Sequence, residues 1–216
     1  MRALGIFLGG ASFPTATVPT MPSAPRAGRS KGCWRSSLLV ACCILTVWHA
    51  AAKAAEASVG DVEYAVKAAY LYKFAGYVEW PPTSFSQVTA PLKIGVVGAD
   101  RLVAELTRQL AGVSVSNHPV TVASLKPGDA LGDVQILFIG RQENSGLPRL
   151  LAGVQQKPVL TVTELADGLD EGSVINFVTT DNRIRFEISL PAAQKSGLKL
   201  SSRLLSVAQQ VQTVTP

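Results

Sequence analysis

Three short and almost unbroken apolar runs limit most strongly what this chain can fold into: Leu92–Val97 (LKIGVV), Val134–Ile139 (VQILFI) and Pro158–Val162. A strand that is apolar on both sides has to be covered on both sides, as in parallel sheets flanked by helices. Helix-compatible segments separate the runs. One opens after the turn Gly98-Ala99-Asp100 and reaches Leu110, and a shorter one spans Ser145–Gly153. His118–Leu125 is a further β-rich run, and Glu164–Leu169 reads as a helical turn or loop. The expected fold class is α/β, with three layers and a mainly parallel sheet flanked by helices.

The two ends of this region depart from the alternation. Asp61–Trp80 is expected to be a helix capped by Asp61 and stopped by Pro81-Pro82, because the residue before a proline is pushed out of the α region. At 100° per residue Glu63, Lys67 and Lys73 share an arc of about 120°, which reads as the solvated face. Val62, Ala65, Val66, Ala69, Leu71, Tyr72, Phe74 and Val78 make up the face expected to be buried. Glu79 falls outside the charged arc, beside Trp80. It reads either as part of a solvated last turn or as a partner contact.

At the other end Ser173–Thr180 and Arg183–Leu190 flank Asp181-Asn182, two residues that tolerate positive φ and suit a two-residue hairpin. An antiparallel hairpin is therefore expected to close one end of the sheet. Ile184, Phe186, Ile188 and Leu190 point one way, and Arg183, Arg185 and Glu187 form a charged row on the other side. That row reads either as an ordinary solvated or edge-protecting strand face or as a surface for a partner protein. Helices Pro191–Ser196 and Ser202–Gln210 finish the chain, separated by Gly197. Arg203 lies in the first turn after Ser201-Ser202, where positive charge opposes the helix dipole. An ion pair with a carboxylate such as Glu187 would account for it.

Composition matters here chiefly for where it is uneven. The 216 residues carry a formal charge of +5, and Arg2, Arg26, Arg29, Lys31 and Arg35 precede the first acid, Glu56. From Lys53 onward 15 basic residues face 15 acidic ones. The clustered positive charge that nucleic-acid binding requires is therefore missing from the domain. Cys33, Cys42 and Cys43 are the three cysteines, and His49 and His118 the two histidines. With no thiol and one imidazole, the domain can build no Cys/His zinc site, Cys–His dyad or disulfide framework.

Arg26–Arg35, the apolar run Ser36–Trp48 and the small residues Ala50–Ala55 follow the layout of a secretory signal peptide. The apolar run of about 13 residues is shorter than the roughly 20 needed to span a bilayer. Residues 1–52 are expected to be the leader, with cleavage after Ala52 preferred over Ala55, and 53–216 a single exported domain. Met21 is an alternative start. Leu39-Val40-Ala41-Cys42 resembles a lipobox, and an uncleaved anchor is a further alternative. Each of these still places the domain outside the cytoplasmic membrane.

The familiar catalytic patterns are missing. Gly95-Val-Val-Gly98-Ala-Asp100 lacks the spacing of a dinucleotide fingerprint and has no P-loop lysine. It reads as a plain βα turn, and it is the one hint of a periplasmic small-ligand-binding protein. Asp167, Asp170, Glu171 and Asp181 read as solvated loop acids, and His118, next to Pro119, as a structural histidine. No serine sits in a G-x-S-x-G elbow. No catalytic residue, metal or cofactor is expected.

Two longer stretches carry a resemblance. Lys67-Ala-Ala-Tyr-Leu-Tyr-Lys-Phe-Ala-Gly-Tyr-Val-Glu-Trp-Pro81 resembles the opening helix of the YfiR family of bacterial periplasmic proteins. Gly172–Phe177, Asn182–Leu190 and Gly197–Leu205 are similar to that family's ending. The resemblance runs from about Tyr64 to Ala208 and implies a non-enzymatic periplasmic repressor. Its implied target is the periplasmic sensor domain of an inner-membrane diguanylate cyclase, so that repression lowers cyclic di-GMP and biofilm formation. An outer-membrane lipoprotein is the further partner it implies, and a homodimer of the chain is a separate expectation. The family's best-known members carry disulfides in the exported domain, and this domain has no cysteine, so redox control of that kind does not carry over.

Overall fold

The computed structural model describes residues 60–131 and 133–213. The expectations for the signal peptide, its cleavage site, the lipobox at Cys42, all three cysteines and His49 lie outside those residues. The chain enters through helix α1 (60–77), then forms strand β1 (Val78–Glu79) and a 3-10 turn at Pro82–Ser84. Next come β2 (Leu92–Val97), α2 (Asp100–Gln109), β3 (Ser114–Val115), β4 (His118–Leu125) and β5 (Ile136–Ile139). A 3-10 segment, Arg141–Gly146, leads into α3 (Leu147–Val154), followed by β6 (Leu160–Thr163). The chain ends in β7 (Ile175–Thr180), β8 (Arg183–Ser189), α4 (Leu190–Lys195), β9 (Lys199–Leu200), α5 (Ser202–Val207) and β10 (Gln210–Gln212).

Eight strands form one sheet in the order β10-β8-β7-β6-β5-β2-β4-β3. From β4 to β7 the neighbours run parallel, and β7–β8 is the antiparallel hairpin. The α/β, mainly parallel arrangement read from the apolar runs is the one observed. Asp181 and Asn182 take φ of 50° and 56°, which makes the hairpin a tight turn with two left-handed residues whose twist suits the flanking strands.

The two faces of the sheet are covered unequally. Leu92, Ile94, Val96, Ile136, Phe138, Leu160, Val162, Ile175, Phe177, Phe186 and Ile188 share one core with α1, α2 and parts of α4 and α5. Its aromatic centre stacks Tyr70 and Phe74 against Phe177 and Phe186, with ring centroids 4.9–5.9 Å apart. On the opposite face Val97, Leu137 and Ile139 pack under α3, through Leu147, Leu150, Leu151 and Val154. Farther from α3 that face is mostly polar, with Thr163, Asn176, Arg185 and Glu187 alongside Val178.

Several elements differ from the sequence reading. The first helix stops at Tyr77, not Trp80, because Val78 and Glu79 pair with Leu200 and Lys199 and the Tyr77 carbonyl accepts a hydrogen bond from Ser201 N at 3.0 Å. Asp61 lies inside the first turn rather than capping it. The last helix ends at Val207. The chain then extends, Gln209 N donates to Phe186 O at 2.8 Å, and β10 runs parallel to β8. The hairpin is therefore not the end of the sheet. Here a tertiary strand partner outweighed local helix preference.

The Gly95–Asp100 turn is used for packing. Gly98 has a φ of +68°, and a methyl group on Gly140 would lie 2.3 Å from the Gly98 carbonyl oxygen. The corner after β5 thus rests directly on the corner after β2. His118 is structural as expected: its ring stacks on Phe85 at 3.8 Å and Nδ1 lies 2.6 Å from the Ala90 carbonyl oxygen.

Gly140→Ala is expected to lower unfolding free energy by about 1–3 kcal/mol through overpacking. Phe186→Ala should cost about 3–5 kcal/mol through the cavity it leaves. Urea unfolding of the purified domain measures both.

Candidate functional site

Two groups of side chains stand out, one buried and one exposed. The buried one lies where the first turns of α1 meet the carboxyl ends of β5 and β6. Lys67, 1% exposed, bonds through Nζ to Glu63 Oε1 and to Glu164 Oε2. Glu164 follows β6, and its other oxygen accepts Arg141 N at 3.1 Å. Arg141 follows β5-Gly140. Its guanidinium bonds Glu63 and lies 3.6 Å from Glu164. Two cations and two carboxylates therefore alternate, and the ring of Tyr64 lies 5.1 Å from Lys67 Nζ.

The electrostatics follow from that alternation. Burial pushes the Glu63 carboxyl up, but the hydrogen bonds and charges of Lys67 and Arg141 outweigh it and hold the group below its ordinary value. Burial, reinforced by the Glu164 charge, raises the Tyr64 hydroxyl. For Arg141 the attraction of Glu164 and Glu63 exceeds the opposing effect of burial. Each carboxylate is already engaged by a cation, so the cluster holds α1 to the sheet and offers no free base. Among the described residues no group of three metal-ligating side chains gathers.

Lys67 was expected on a solvated face, together with Glu63 and Lys73. Of the three only Lys73 is exposed. Val62 at 64%, Tyr72 at 40% and Val66 at 37%, expected inside, are exposed instead. The phase was readable from the large side chains. Taking Glu63 as zero, Leu71, Phe74, Ala75 and Val78 lie between about 20° and 120°, and Lys67, at about 40°, falls among them. Reading charge as exposure hid this. Glu164 carried no sequence signal, because its partners are 97 and 23 residues away.

The exposed group is the polar side of the hairpin. Register places Asn176 opposite Glu187, Val178 opposite Arg185 and Thr180 opposite Arg183, so all six share one face. Asn176 is covered by the loop after β6: its Oδ1 accepts Thr163 Oγ1 at 2.8 Å and Leu165 N at 3.1 Å. Glycine at 168 allows this, since a methyl there would come within 2.2 Å of Thr163 Oγ1. Arg183 and Arg185 stay exposed and line an open cleft with Thr180, Asp181, Val207, Ala208 and Gln209.

The other candidates are not in that cleft. Glu187 is half-buried and pairs in register with Gln210. Glu79 is exposed in the separate β1–β9 pair, opposite Lys199. Arg203 is exposed, its carbonyl accepts Ser206 Oγ at 3.0 Å, and no ion pair joins it to a carboxylate among the described residues.

A sequence model of the YfiR/HmsC-like family matches residues 64–209. No curated protein matches the chain significantly. Among solved structures, a conserved domain protein from Vibrio cholerae O1 biovar El Tor str. N16961 is 12% identical, with 56% of this chain aligned to 54% of that one at a TM-score of 0.44. An ABC domain in complex with L-Trp from Streptococcus pneumonia is also 12% identical, with 56% aligned to 55% at 0.43. This chain thus spans about half the length of each.

Lys67→Met should lower stability by about 3–5 kcal/mol, because it leaves the Glu164 charge buried without its ammonium partner, and adding Glu164→Gln should recover part of the loss. A depressed carboxyl contributes stability that is complete above its unfolded value, near 4.5, and is lost as pH falls through the lower folded value. The stability gap between wild type and Glu63→Gln should therefore hold constant well above pH 4.5 and shrink as pH falls below that value. Chemical denaturation at a series of pH values from neutral into the acid range reads it.

Proposed function

This chain belongs to the YfiR/HmsC-like family, and on that premise we propose that it is a periplasmic repressor of a membrane-bound diguanylate cyclase. It binds the cyclase's periplasmic sensor domain and so lowers cyclic di-GMP and biofilm formation. An outer-membrane lipoprotein that sequesters it and a second copy of the chain are its further partners. The observation that carries this reading is the family match across nearly the whole domain.

The site supports a binding role. Arg183 and Arg185 follow a two-residue hairpin turn and are exposed on a cleft wall, where guanidinium groups suit recognition of carboxylates. Glu187 and Glu79 are the acidic candidates for the same interaction. The buried charges at Lys67 are already satisfied among themselves, which leaves the surface to do the binding. The signal-peptide layout of the leader supports export. Among the described residues no helix is long and apolar enough to cross a membrane.

Deleting the gene while its neighbouring cyclase is expressed should raise cellular cyclic di-GMP, and an unchanged level overturns the proposal. In a pull-down with the purified sensor domain, Arg183→Glu and Arg185→Glu should each weaken capture. Their thermal stability should stay within about 0.5 kcal/mol of wild type, as for other surface substitutions. A large stability loss would make the arginine row structural.

A further inference from the structure

Strand β8 outruns the strand beside it. β7 pairs with it from Ile188 down to Arg183, whereas β10 pairs only with Glu187, Ile188 and Ser189. The Phe186 carbonyl accepts Gln209 N, so the even-numbered residues of β8 direct their main-chain groups away from β7. Strand period makes Ile184 the next residue of that kind, and the ladder of β10 stops short of it. Among the described residues no strand therefore pairs with the N–H and C=O of Ile184, which leave an open stretch of sheet edge.

The surroundings of this edge select what can pair with it. Arg183 and Arg185 flank Ile184 and are exposed on the cleft, beside Val207, which is 60% exposed. Asp181 is the single acid among the lining residues, so two guanidiniums face one carboxylate. An open edge is a template for another strand. Two arginines there repel basic segments and reward carboxylates, which guanidinium binds with charge-assisted, paired hydrogen bonds.

We propose that this edge of β8 captures an extended, acidic segment of a partner protein by strand addition. The inference rests on the partner-binding reading above and specifies its mode. The incoming main chain bonds to Ile184, its glutamate or aspartate side chains meet Arg183 and Arg185, and an apolar side chain covers Val207. Strand addition of this kind takes affinity from main-chain bonds and specificity from side chains at alternate positions.

The test titrates the purified exported domain with a capped peptide of alternating glutamate and valine. Two controls accompany it, a lysine-for-glutamate peptide and the acidic peptide with N-methylated amides. Wild type should bind the acidic peptide and lose at least about tenfold in affinity for each control. Ile184→Pro removes the outward N–H without touching the β7 ladder, since an edge strand tolerates proline there. It should lose the peptide as well, whereas Ile184→Val should keep it. Should Ile184→Pro fail to fold, the N-methylated peptide on wild type still decides. No binding of the acidic peptide, or equal binding of its N-methylated form, overturns strand addition. With sensor-domain capture intact, either result leaves the repressor reading standing.

Discussion

An ammonium group inside a protein has to be met on every side by acceptors, and Lys67 sets that demand at the first turns of α1. Glu63 supplies one carboxylate from the same helix, four residues earlier, and Glu164 supplies the other from the end of β6. Arg141, at the end of β5, closes the arrangement from the solvent side. Buried ion pairs add little stability over apolar residues of the same shape, but a broken one is costly. The arrangement therefore acts as a constraint on register. It admits one rotation of α1 on the sheet, the one that carries Ala68, Leu71, Phe74 and Ala75 into the core and turns Val62, Val66 and Tyr72 outward.

With α1 placed in this way, the sheet becomes two-sided in character. One face is apolar from Leu92 to Ile188 and is covered by helices. The other is apolar only beneath α3 and turns polar toward β7, β8 and β10. The loop after β6 tucks Asn176 and Thr163 away, because Gly168 can approach where a side chain could not. Beyond that loop Arg183 and Arg185 remain in solvent. The hairpin thus presents charge on its polar face, with β10 lying outside β8 along only part of that strand.

Much of this was legible in the chain itself. Leu92–Val97 and His118–Leu125 have the bounds read from their composition, because apolar and β-branched runs of that length leave few alternatives. The hairpin followed from Asp181-Asn182, whose tolerance of positive φ is local chemistry. The short strands β1, β9 and β10 were not legible. Each is two or three residues long and is a strand only because its partner's main-chain groups lie alongside. The charged cluster was hidden for a related reason, since Glu164 and Lys67 are 97 residues apart.

The alternation of elements, the fold class, the absence of cysteine and of net charge after the leader, and the family motifs at the two ends were all legible in the chain. These depend on periodicity, turn chemistry and composition, which act between neighbours in the chain. Contacts between distant segments settled which face of α1 is buried, where the last helix gives way to β10, and that no described strand covers the outer edge of β8 at Ile184. Those outcomes depend on which main-chain and charged groups from distant segments meet. A lysine reads as solvent-exposed until two carboxylates are brought to it.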